Sequence, residues 1–159
     1  MKKRCIFLLA FFLLFASCTQ VQGVGQSLSS TVKRIQSAIS SVGDFIMADE
    51  EFIADHIGAP SYLEESALCF GAEGKAREFG VFRLSDRSKA SEFKQSLRSY
   101  LQAEKEALST LAELYPAEEL AERLALYENA TVGSEGMLVY YFVLDKKETD
   151  KALQALTGR

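Results

Sequence analysis

The run MLVYYFVL, residues 137–144, sets eight apolar residues in succession. A strand built from it has no polar side to turn to water, so it must be covered on both faces inside a sheet. The chain needs partners for that strand, and it supplies them. In EFGVFRL, residues 78–84, Phe79 and Val81 share one face while Phe82 and Leu84 share the other. Tyr62 to Phe70 precedes it across the glycine-bearing stretch GAEGKA, which predicts an antiparallel hairpin. A short strand around Thr131 and Val132 leads through GSEG into residues 137–144 and predicts a second.

Helical patterns surround these segments. The strongest runs from about Arg87 to Leu114, with Ser85 or Asp86 as cap. Phe93, Leu97, Tyr100, Leu101, Leu108 and Leu111 fall near one face, while Arg87, Lys94, Arg98, Gln102, Lys105 and Glu106 populate the other. Tyr115-Pro116 ends that helix and opens the next, where Glu118 and Glu119 suit the first turn and Leu120, Leu124 and Tyr127 form the buried stripe. Nearer the amino terminus, Leu28, Val32, Ile35, Ile39, Val42 and Ile46 step by three or four residues along one stripe, with Gly43 weakening or ending the helix. DEEFIADHIG predicts a short helix that Asp49, Glu50 and Glu51 start and that Gly58 with Pro60 stops. A final helix spans about Lys147 to Leu156. The order predicts an α+β domain over residues 28–159, a small antiparallel sheet of about four strands in two hairpins with helices packed against it. A composition of 48% hydrophobic and 25% charged residues is that of a globular chain rather than a disordered one.

The first residues have a different logic. Met1-Lys2-Lys3-Arg4, the apolar run Cys5 to Phe15, then the small Ala16 and Ser17 before Cys18 are the three zones of a secretory signal over residues 1–17. The apolar run is too short to span a bilayer, which takes about 20 residues. Leu14-Phe15-Ala16-Ser17-Cys18 resembles the bacterial lipobox, in which the cysteine thiol receives a diacylglycerol and becomes the new terminus. Phe15 departs from the leucine usual at that place. Lipidation at Cys18 gives a membrane anchor on the extracytoplasmic face, followed by a tether over residues 18–27; ordinary cleavage nearby gives a soluble secreted protein instead. Loss of Lys2, Lys3 and Arg4 carries the formal charge from −4, by three cations, to −7. That acidic surface argues against nucleic acid and anionic lipid headgroups as partners.

Candidates for chemistry are few. Cys69 is the only thiol in the folded part, and its neighbours Leu68 and Phe70 predict a buried, inert cysteine rather than a nucleophile paired with His56. His56, the only histidine, has no further ligands at metal spacing and reads as a surface or cap residue. Tyr140, Tyr141 and Phe142 read as core rather than a ligand groove. Asn129-Ala130-Thr131 matches a glycosylation sequon and is read as the approach to a strand. Glu64, Glu65, Glu78 and Glu104 are the acids that a small envelope hydrolase would use. No glycine-rich phosphate loop, metal spacing or serine–histidine arrangement occurs, so no catalytic residue, cofactor or metal is assigned.

The lipobox-like start, EFGVFRL, SLRSYLQAEKEAL, LYPAEELAERLALYENATV and GMLVYYFVL, taken in order over about residues 28–157, resemble a family of bacterial lipoproteins known as domain of unknown function 4358. The resemblance implies a membrane-tethered extracytoplasmic domain and brings no catalytic residues with it. The function expected is a non-enzymatic binding or interaction module, held to the membrane through Cys18, with an envelope protein as a partner.

Overall fold

The computed structural model describes residues 27–39, 44–72, 76–115 and 117–158. The signal segment, Cys18 and nearly all of the tether, together with Val42, Gly43 and Pro116, lie outside them. Five helices and five strands follow in the order α1 (Leu28–Ile39), β1 (Phe45–Met47), α2 (Glu50–His56), β2 (Leu63–Gly71), β3 (Glu78–Leu84), α3 (Ala90–Leu114), α4 (Glu118–Glu128), β4 (Thr131–Glu135), β5 (Leu138–Val143) and α5 (Lys146–Thr157). The strands form one antiparallel sheet in the order β1-β2-β3-β5-β4. The fold is α+β, as the order of patterns predicts. Among the described residues no helix is long and apolar enough to cross a membrane.

Helices cover both faces of the sheet. On one, Leu28, Val32, Ile35 and Ile39 of α1 and Ala152 and Leu156 of α5 pack on Ala67, Cys69, Phe79, Val81 and Phe142. On the other, α2, α3 and α4 bring Ile53, Phe93, Leu97, Tyr100 and Tyr127 onto Leu68, Phe82, Leu84, Val139, Tyr141 and Val143. The alternation within EFGVFRL is realised: Phe79 and Val81 go to the first core, Phe82 and Leu84 to the second. All four are at most 1% exposed, which is why β3, the central strand, lacks a polar face. Each such side chain contributes about 1.5–3 kcal/mol by leaving water.

Local chemistry fixes the helix ends. Asp49 accepts the Phe52 amide at 2.8 Å to start α2, and Asp145 accepts the Glu148 amide at 2.7 Å to start α5. Asp86 caps a 3-10 turn, Arg87–Lys89, which precedes α3, so the long helix begins three residues later than its periodicity predicts. Gly58, at φ +103°, takes the chain out of the turn after α2, a conformation that costs other residues a steric clash.

Two expectations need correction. Ile46 is not on the first helix but in β1, an edge strand that adds a fifth to the four expected, and it is 60% exposed. Its spacing from Ile39 fits a helix by coincidence, because three residues of strand share no period with the stripe before them. Leu111 is 42% exposed rather than buried, because the contact face of α3 lies on its earlier turns and ends with Leu108.

Candidate functional site

Glu78 opens β3 on the same face as Gly80 and Phe82, and that face is under α3 and α4. The carboxyl is 3% exposed. A buried carboxyl needs hydrogen-bond donors, and three tyrosine hydroxyls provide them. Tyr100 of α3 donates to Oε1 at 2.8 Å, Tyr141 of β5 donates to the same oxygen, and Tyr127 of α4 donates to Oε2. One acid thereby joins two strands and two helices.

Glycine makes the Tyr141 bond reachable. Tyr141 is paired in register with Gly80, two residues along from the Glu78–Val143 pair, so Glu78 is its diagonal neighbour on the same face. Its ring lies where a side chain at position 80 would stand: a Cβ there would meet Tyr141 Cε1 at 2.5 Å and Phe82 ring carbons at 2.7 and 2.9 Å. The absent side chain gives the ring a bed across the backbone, and the hydroxyl extends to the carboxyl. The pattern E-x-G on β3 is the sequence trace of this arrangement.

Burial raises the Glu78 pKa above the usual carboxylate range, against the hydrogen bonds of Tyr127, Tyr141 and Tyr100, which favour the ionised form. The same burial, followed by the nearby negative charge of Glu78, pushes all three tyrosines up. None of the three hydroxyls is a base near neutral pH.

Above Glu78 lies a cleft of about 300 Å³. Three helices build it with pairs four residues apart, a spacing that puts both members on one face. From α2 come Phe52 and His56, from α3 Tyr100 and Glu104, from α4 Arg123 and Tyr127. The rings of Phe52 and His56 stack at 4.1 Å, and Phe70 meets Phe52 edge-on at 5.4 Å, forming an aromatic wall. Glu104 and Arg123 line the same cleft. The latter's Nε is buried and makes no hydrogen bond. The nearby Arg77 is occupied: it pairs with Glu148 at 2.6 Å and Asp44 at 3.9 Å, and lies over the Phe45 ring.

The four acids singled out by sequence do not form one group. Glu78 and Glu104 share this cleft, whereas Glu64 and Glu65 are exposed at the other end of β2. There Glu65 pairs with Arg83 at 3.0 Å and accepts the Leu28 amide at 3.1 Å. Cys69 and His56 are separated by the sheet, the thiol packing toward α1 and the imidazole standing on α2 across from it. Gln36 donates to Cys69 Sγ at 3.8 Å, and burial pushes the thiol pKa up to about 12. Tyr141 and Phe142 are fully buried core residues, and Tyr140 is half-buried. Among the described residues no cluster of three or more His, Cys, Asp or Glu side chains could hold a metal ion.

Sequence reasoning missed the tyrosine cage and Arg123. The cage joins residues 22, 49 and 63 positions apart from Glu78, and only the helix spacings of the lining pairs were available to hint at it. No protein-family model, curated protein or solved structure matches the chain.

Proposed function

We propose that this chain is a lipid-anchored binding module on the extracytoplasmic face of a membrane, akin to the lipoproteins of domain of unknown function 4358, and that the cleft over Glu78 is its ligand seat. The observation that carries the reading is the convergence of three helical pairs on one concave site above a buried acid. Binding is favoured over catalysis because the reactive groups are tied up. Both Glu78 oxygens accept hydroxyl hydrogens, the tyrosines hold their protons, and Cys69 is buried with a raised pKa on the far face of the sheet. The anchor reading draws on Leu14-Phe15-Ala16-Ser17-Cys18.

Metabolic labelling with a fatty acid tests the anchor: Cys18→Ala must abolish incorporation, and label retained by the variant refutes lipidation at this residue. Thermal unfolding of the mature chain in detergent tests the seat against amino acids, sugars, nucleotides and polyamines at millimolar concentration. A ligand of the cleft raises Tm in the wild type and less in Arg123→Gln. No rise with any class refutes the binding reading. Turnover of any of these compounds, lost in Glu104→Gln, replaces it with an acid-dependent enzyme.

A further inference from the structure

We propose that the cleft over Glu78 receives a small zwitterion, a free amino acid with an apolar or aromatic side chain, its carboxylate on Arg123 and its ammonium on Glu104. The inference rests on the binding-module reading and names the ligand class for that seat.

The argument starts from two charges that the fold leaves uncompensated. Glu104 and Arg123 line the same cleft from adjacent helices, yet they form no ion pair with each other or with another described residue. The Arg123 Nε–H is buried without an acceptor, as is that of Arg77 on the same cleft, a state that water or a ligand completes in native proteins; Arg77 has its carboxylate partners in Glu148 and Asp44, and Arg123 has none among the described residues. Arginine binds carboxylates well because its planar fork matches the two oxygens. A ligand with a single charge would satisfy one of the two groups and leave the other facing it with like or no charge. A zwitterion satisfies both.

The rest of the cleft selects within that class. Phe52 and His56, stacked at 4.1 Å and joined by Phe70, give an aromatic wall beside the charges. That wall suits the side chain of the amino acid. The volume of about 300 Å³ stands at the lower limit for small-molecule sites, which fits one amino acid and is too small for a nucleotide. Glu78, Tyr100 and Tyr127 line the cleft, and their hydrogen bonds fix the two helices that carry the recognising groups. Tyr100 is one turn from Glu104, and Tyr127 one turn from Arg123.

Isothermal titration of the mature chain in detergent, with three ligands of one skeleton, tests the proposal. These are phenylalanine as the free amino acid, phenethylamine, which lacks the carboxylate, and 3-phenylpropionate, which lacks the ammonium. The amino acid should bind at least about tenfold more tightly than either analogue, since each loses one charge partner. Arg123→Gln should bring its affinity down to that of the amine, and Glu104→Gln to that of the acid, while Arg123→Lys keeps part of the difference. Unchanged circular dichroism and Tm of the unliganded variants establish that they fold. An analogue within about threefold of the amino acid overturns the proposal. If phenylalanine and other free amino acids fail while a sugar, nucleotide or polyamine raises Tm through Arg123, the zwitterion assignment falls and the binding module stands. If nothing binds, both fall.

Discussion

Replacing Tyr141 by phenylalanine removes one hydroxyl from the cage and nothing else. The ring is fully buried, stacks on Phe82 at 6.3 Å between centroids, and keeps that contact as phenylalanine. Glu78 Oε1 retains the Tyr100 hydroxyl, so the acid is weakened rather than stranded. The size of the loss depends on what the lost bond reached. A hydrogen bond to a neutral partner contributes about 0.5–1.5 kcal/mol and one to a charged partner about 1.5–3 kcal/mol. At an acid pH where Glu78 is protonated, Tyr141→Phe should therefore cost about 1 kcal/mol; at an alkaline pH where Glu78 is ionised it should cost about 1.5–3 kcal/mol. At about 4 °C per kcal/mol for a domain of this size, the Tm depression grows from about 4 °C to about 6–12 °C. Urea titrations followed by far-ultraviolet circular dichroism measure the free energies directly, with an unchanged m-value showing that the native and unfolded states stay comparable. Tyr140→Phe, a half-buried position on the opposite face, is the control and should stay within about 0.5 kcal/mol. A Tyr141→Phe cost that is the same at both pH values, or larger in acid, refutes the reasoning that ties this hydroxyl to the charge on Glu78.

Further outcomes follow from the same cluster and its surroundings. Because burial raises the folded pKa of Glu78 above the usual carboxylate range, the folded state holds this proton more tightly than the unfolded chain; the resulting stabilisation is complete below the unfolded pKa, about 4.3 for a glutamate, and is lost as pH rises through the folded value. Within that window Glu78 contributes a decline of up to about 1.4 kcal/mol per pH unit, and Glu78→Gln should remove it; equal slopes in the two proteins would show that another group sets the trend. Gly80→Ala should cost about 2–4 kcal/mol, since its Cβ meets the buried rings of Tyr141 and Phe82, whereas Gly133→Ala meets only the half-buried Tyr140 ring, which can move outward, and should cost less than about 1 kcal/mol. Equal effects at the two glycines would count against the bed for Tyr141. Cys69 should react with a neutral thiol reagent only at the rate of unfolding, and fast labelling under native conditions would contradict its burial and its pKa of about 12.

Periodic features of the fold were legible in the residues, and features that join distant residues were not. MLVYYFVL and EFGVFRL declared interior strands because a strand buried on both sides has no polar positions to spare. The long helix was legible because its apolar face recurs from Phe93 to Leu108. β1 escaped notice since three residues are too few to establish a period, and its Ile46 continued the spacing of the helix before it. At the site, Glu78 was one of four candidate acids, and its meaning depends on hydroxyls brought from α3, α4 and β5 by tertiary packing. Arg123 looked like any charged residue on an amphipathic helix. What sets it apart is its place in the cleft with Glu104, with a buried Nε and no ion pair among the described residues.

The two ends of β2 have different neighbours. The amide of Leu28 rests on Glu65 at one end, while Phe70 and Gly71 border the cleft at the other. Six residues of strand separate them, a distance of about 20 Å. For a chain held at Cys18, residues 18–28 can place the start of α1 no farther than about 35 Å from the acylated sulfur. Under the proposed anchoring at Cys18, the start of α1 and the cleft stand at opposite ends of β2, so a change in tether length should alter the height of the site above the membrane without altering its affinity.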